Sequence, residues 1–123
     1  LRLLIIEDDD LKADKVIHCF EGHDYERERS YNSGLRNLLG RKTVYDGVIL
    51  DMGLPKFDDG CRYEEDHGLL ILEEMRRNKI ELPVLIHSSN QFDISNFPNV
   101  LGYIIASNDS IVKEVNDFIF LIS

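Results

Sequence analysis

The stretch from Tyr45 to Pro55 constrains the fold more than any other. Val48, Ile49 and Leu50 follow one another without a polar interruption, Asp51 comes next, and Gly53 and Pro55 close the segment. A strand with one wet face alternates apolar and polar residues, whereas a strand covered on both faces is apolar throughout. Gly53 and Pro55 force the chain out of the sheet. The segment therefore reads as a central strand of a parallel sheet that delivers the Asp51 carboxylate to its C-terminal end. In open α/β sheets that end is where sites are built.

The pattern recurs along the chain. Leu3-Leu4-Ile5-Ile6 runs into Glu7-Asp8-Asp9-Asp10. Val84-Leu85-Ile86 follows Pro83 and runs into His87-Ser88-Ser89-Asn90. Leu101 to Ile105 is a further strand. Ala13, Val16, Ile17 and Phe20 recur at helical spacing, so Leu11 to Phe20 forms an amphipathic helix that Asp9 or Asp10 caps and Gly22 stops. Tyr25 to Tyr31 alternates with charges and suits a sheet edge, where charge discourages association. A short helix follows from Asn32, with Leu35, Leu38 and Leu39 on one face. Another spans Gly68 to Asn78, with Leu69, Leu72 and Met75 inward. A last one carries Ile111, Val115, Phe118, Ile119 and Ile122 on one stripe behind a cap at Asn108-Asp109-Ser110. Lys56 to His67 shows no period and reads as a polar, acidic surface loop. Gln91 to Val100, interrupted by Pro98, has room for a turn or two of helix at most. Strands alternating with helices give a three-layer α/β/α domain with a parallel sheet, and residues 1–123 form that one domain.

The net charge of -9 argues against nucleic acid, whose recognition needs basic patches, and against anionic membranes. No apolar run is long enough to span a bilayer. Cys19 and Cys61 lie in unlike contexts and have no zinc spacing, which is consistent with a reducing cytoplasm. His18, His23 and His67 have no partner at ligand spacing.

Three strands thus end in reactive groups: Glu7 and Asp8, Asp51, and Ser88. Carboxylates brought together repel one another and favour a hard cation such as Mg²⁺, which takes oxygen ligands. A carboxylate beside that ion can accept a phosphoryl group, since the metal offsets the developing charge.

On these residues the chain resembles the receiver domain of two-component response regulators, over nearly its whole length. Ile5-Ile6-Glu7-Asp8-Asp9 resembles the first strand with its acidic pair. Val48 to Pro55 resembles the phosphoacceptor strand, Pro83 to Ser89 the fourth strand, and Gly102 to Ile105 the fifth. The resemblance implies a flavodoxin-like, five-stranded parallel sheet in the order 2-1-3-4-5. It implies Asp51 as phosphoacceptor, with Mg²⁺ or Mn²⁺ held by Asp8, Asp51 and the Gly53 carbonyl and, through water, by Glu7. Ser88 and Tyr103 take the switch positions. A histidine kinase supplies the phosphoryl group, and the domain signals by contact with a downstream protein, as a stand-alone regulator with no output domain after Ile122 and no catalysis of its own.

The chain departs from the family pattern in three places. Ala106 stands where the family has a Lys at the end of the fifth strand, the loop after Pro55 is long, and the fourth helix is short or absent. Lys56 and Lys113 are the bases placed to stand in for the missing Lys. A pseudo-receiver that is never phosphorylated is the alternative that Ala106 favours. His87-Ser88-Ser89-Asn90 also resembles a His-Ser-x-Asn motif of receiver-like proteins proposed to process cyclic phosphates, with His87 as acid/base. Against that, strand alternation turns His87 away from the cleft, and Met52 stands where that group has a second His.

Overall fold

A computed structural model describes residues 1–41, 44–105 and 111–123. The chain runs β1 (Arg2–Ile6), α1 (Asp10–Ile17), β2 (Asp24–Glu28), α2 (Tyr31–Arg41), β3 (Gly47–Leu50), α3 (His67–Arg77), β4 (Val84–Ser88), β5 (Val100–Ile105) and α4 (Ile111–Ile122). The five strands are parallel in the order β2-β1-β3-β4-β5, as the resemblance implied. Ala106 and the expected cap at Asn108, Asp109 and Ser110 lie outside the described residues. Among the described residues, no helix is long and apolar enough to cross a membrane.

Strand alternation divides the core into two layers. Leu4, Ile6, Val48, Leu50, Val84 and Ile86 pack with Leu38, Ile71, Leu72 and Met75 of α2 and α3. Leu3, Ile5, Ile49, Leu85 and Ile104 pack on the other face with Val16 of α1 and with Val115 and Phe118 of α4. β1, β3 and β4 are buried at nearly every position, which is why they read as unbroken apolar runs. The charged β2 is the edge strand. It stops at Glu28 rather than reaching Tyr31, because Ser30 and Ser33 cap α2 reciprocally: Ser33 N–H donates to Ser30 Oγ at 3.1 Å and Ser30 N–H to Ser33 Oγ at 3.2 Å.

No helix forms between β4 and β5. The segment there is nonetheless anchored, with Phe97 buried and Phe92 and Ile94 packed against the core. The stretch after Pro55 is more ordered than its composition suggests. Leu54 and Glu64 pair in an antiparallel bridge, Lys56 N–H donates to Cys61 O at 3.0 Å, and Gly60 and Arg62 take positive φ of 90° and 58° to turn the chain back. Ser30 Oγ ties this hairpin-like excursion to the start of α2 by donating to Asp58 Oδ1 at 2.7 Å.

Candidate functional site

The register brings the strand ends to one level. Ile6 pairs with Leu50 and Leu50 with Ile86, so Glu7, Asp51 and His87 follow side by side. By alternation they continue the face that packs on α1 and α4. Asp8 stands beside them, half-buried, while Glu7 and Asp51 are only 2% and 5% exposed. One carboxylate oxygen from each of Glu7, Asp8 and Asp51 lies within 4.8 Å of the others. The sequence anticipated this cluster, and the structure assembles it.

The local sequence explains how the acids are held. Asp9 caps α1: its Oδ1 accepts from Leu11 N–H at 2.9 Å and Lys12 N–H at 3.2 Å. Asp10 is drawn away to Arg27 and Arg29, at 2.7 and 2.8 Å. Glu7 and Asp8 are thus the acids of the run left for the cleft. At the end of β3, Gly53 and Gly68 permit close approaches. A Cβ on Gly53 would stand 2.0 Å from the Tyr63 hydroxyl, so the loop lays that phenol directly over Gly53. A Cβ on Gly68 would stand 2.4 Å from the Asp51 carbonyl oxygen. Gly68 N–H donates to Met52 O at 2.8 Å, and the first turn of α3 is thereby seated on the Asp51–Met52 backbone. His67, buried beside it, lies against Leu54 O at 2.7 Å through Nδ1 and packs on Tyr31 with ring centroids 5.4 Å apart. It is a structural residue of the loop base, for which nothing in the ligand spacing gave a signal.

The electrostatics are those of crowded acids out of water. Burial, then the hydrogen bond and charge of Asp51, push the Glu7 carboxyl up to about 10. Asp8 is raised too, by burial first and the Asp51 charge second. Glu7 Oε1 is buried and accepts no hydrogen bond, with a lysine ammonium, that of Lys12, 3.5 Å away. An all-oxygen donor set of three crowded acids, one buried oxygen of which accepts no hydrogen bond, fits a hard divalent cation.

Lys12 is the residue that sequence reasoning missed. From the first turn of α1 its Nζ reaches across to Asp51 Oδ2 at 3.2 Å and lies 3.5 Å from Glu7 Oε1. The bases expected to stand near Asp51 are elsewhere. Lys56 Nζ lies over the Phe57 ring, 5.6 Å from its centroid, and Lys113 pairs with Asp117 at 2.9 Å. One signal could have exposed Lys12: it lies four residues before Val16 and adjoins Ala13, both buried, so it sits on the inward stripe of an amphipathic helix rather than its wet face.

His87 also differs from expectation. It is buried, and its Nδ1 lies 4.0 Å from Glu7 Oε1, so it faces the acids rather than away from them. Alternation explains this, since Glu7 and His87 continue the same side of neighbouring strands. Burial holds its imidazole down to about 4, a neutral ring at neutral pH. On the opposite face Ser88 is buried and its Oγ accepts from Asn90 N–H at 3.3 Å. Tyr103 folds over the same turn: its hydroxyl donates to Asn90 O at 2.5 Å and accepts from Phe92 N–H at 3.0 Å. The two expected switch residues therefore meet at one turn, Asn90–Phe92, beyond β4.

No protein-family model matches the chain. The transcriptional regulatory protein PmrA of Pectobacterium parmentieri is 31% identical over 86 residues, which are 70% of this chain and 35% of that protein. The chain thus spans about a third of that relative. Among solved structures, the receiver domain of the Francisella response regulator 1452 superposes with a TM-score of 0.74 at 21% identity, covering 98% of this chain and 95% of that one. The Mn²⁺-bound form of the response regulator Rcp1 gives a TM-score of 0.67 at 18% identity, covering 98% and 88%. Sheet order, acidic strand ends and these likenesses together identify the fold: the chain has the fold of a response-regulator receiver domain.

Proposed function

We propose that the domain is a phosphoacceptor receiver, with Asp51 as the residue modified, a histidine kinase as donor and a downstream protein as reader. The observation that carries this reading is the convergence of Glu7, Asp8 and Asp51 at the ends of β1 and β3, with Glu7 and Asp51 buried. Mg²⁺ or Mn²⁺ would be held by Asp8 and Asp51 with the Gly53 carbonyl, and by Glu7 through water. Bound there, the ion would supply charge neutralisation for the transferring phosphoryl group. The chain itself does the positioning. The apolar run of β3 fixes the Asp51 backbone, Gly68 seats α3 against it, and the Asp9 cap sets the start of α1 beside the acids. A reader would touch the Ser88–Tyr103 turn beyond β4 and the hairpin whose Tyr63 lies over Gly53. The setting of such a domain is the cytoplasm.

The residue after Asp51 is Met52, fully buried and without a proton to transfer, in place of the second His, which disfavours the cyclic-phosphate reading. The pseudo-receiver reading draws support from Lys12, whose ammonium already meets the Asp51 carboxylate. NMR titration with Mg²⁺ and then beryllofluoride separates the two. A phosphoacceptor shows metal shifts at Asp8 and Asp51 and a second set, reaching Ser88 and Tyr103, on adding beryllofluoride. Metal binding that survives Asp8→Asn unchanged, or beryllofluoride binding that survives Asp51→Asn, would overturn the proposal.

A further inference from the structure

The acidic cleft contains one positive group among the described residues that meets both Asp51 and Glu7. Lys12 Nζ stands 3.2 Å from Asp51 Oδ2 and 3.5 Å from Glu7 Oε1, with its side chain 22% exposed. Its backbone is fixed by the Asp9 cap, which accepts the Lys12 N–H at 3.2 Å. It projects from the inward stripe of α1 beside Ala13 and Val16. The start of the stem is therefore fixed by the fold, and the partly exposed side chain brings its ammonium to the buried carboxylates.

We infer that Lys12 is the cation that binds the phosphoryl group formed on Asp51, so that α1 rather than the fifth strand supplies this charge. The inference rests on the phosphoacceptor reading and adds to it a residue that acts on the transferred group. In the transfer, an Asp51 carboxylate oxygen forms a bond to phosphorus as the bond from phosphorus to the donor breaks. The donor leaves with the electron pair, as acetate when acetyl phosphate is used, and no proton need move. Before transfer, the ammonium is satisfied by the Asp51 carboxylate. When the carboxylate becomes an acyl phosphate and loses its charge, the new negative charge lies on phosphoryl oxygens two bonds further out, still within reach of a flexible four-carbon stem. A charge-assisted hydrogen bond follows the charge.

The same geometry gives opposite effects on the two ligands of the site, which separates this role from a structural one. An ammonium beside Asp51 opposes a divalent cation and favours a phosphoryl group. Lys12→Gln should therefore bind Mg²⁺ more tightly than wild type, by about threefold to tenfold in calorimetry. At saturating Mg²⁺ it should be labelled by acetyl phosphate about ten to a hundred times more slowly, read by intact mass over time. Lys12→Arg should recover most of the labelling rate. Labelling of Lys12→Gln at the wild-type rate would overturn the inference and leave Lys12 a counter-ion of the resting cleft. A parallel loss of Mg²⁺ binding and labelling would also overturn it, as a mere disturbance of α1. Wild type that binds Mg²⁺ yet never takes label would overturn the phosphoacceptor reading itself, a result distinct from either of the others.

Discussion

Gly68→Ala tests the link between the helix α3 and the acid it supports. The added methyl would lie 2.4 Å from the Asp51 carbonyl oxygen, 2.5 Å from Met52 Cα and 3.0 Å from Met52 Sδ. Two of these neighbours are backbone of the strand end, which cannot turn aside as a side chain can. Overpacking of this kind costs roughly 1–3 kcal/mol, and contact with backbone places the change at the upper end. Alanine regains up to about 1 kcal/mol of helix propensity. The net loss is about 2 kcal/mol, or roughly 8 °C in Tm for a domain of this size. Gly53→Ala is the control. Its methyl would meet the Tyr63 hydroxyl at 2.0 Å and Cζ at 2.9 Å, but Tyr63 is 54% exposed and can swing outward. Its loss should stay under about 1 kcal/mol. Thermal unfolding followed by circular dichroism, in the presence of a chelator, measures both. Gly68→Ala unfolding within a degree or two of wild type, or Gly53→Ala falling as far as Gly68→Ala, would refute the packing argument.

Three further outcomes are expected. In the metal-free protein, Glu7 holds its proton up to about 10 against an ordinary 4.5. The unfolded chain loses that proton first, so stability falls as pH rises from about 4.5 to about 10, and chemical denaturation of Glu7→Gln should show this decline removed. His87 acts in the opposite direction: held to about 4 against an ordinary 6.5, it makes stability fall as pH drops through that window, and His87→Gln should flatten the acid limb. Since Glu7 must give up its proton to face a dication even through water, Mg²⁺ binding near neutral pH should release a proton, detected by calorimetry in buffers of different ionisation enthalpy and absent in Glu7→Gln.

The sequence made the strand ends legible because β1, β3 and β4 are covered on both faces, and an acid after an unbroken apolar run is conspicuous. The edge position of β2 was legible from its charge for the same reason in reverse. Less could be read where meaning depends on contacts distant along the chain. The ion pair of Lys12 with Asp51 spans 39 positions, and a single Lys near a helix start looks like solvated surface. The loop from Lys56 to His67 carries no period because its order comes from backbone pairing with Leu54 and from Asp58 reaching Ser30, neither of which leaves a hydrophobic pattern. For His87, neighbouring strand residues do face opposite sides, but alternation alone does not say which of His87 and Ser88 turns to the cleft. Register with Glu7 and Asp51 shows that His87 is on the acids' side and Ser88 on the other.

The central claim is that Asp51 accepts a phosphoryl group, and intact mass spectrometry of the chain incubated with acetyl phosphate and Mg²⁺ tests it most directly. Wild type should gain the mass of one phosphoryl group, the gain should disappear with a chelator, and Asp51→Asn should gain nothing. A wild type that stays at its starting mass, or an Asp51→Asn variant labelled as fully as wild type, would contradict the account.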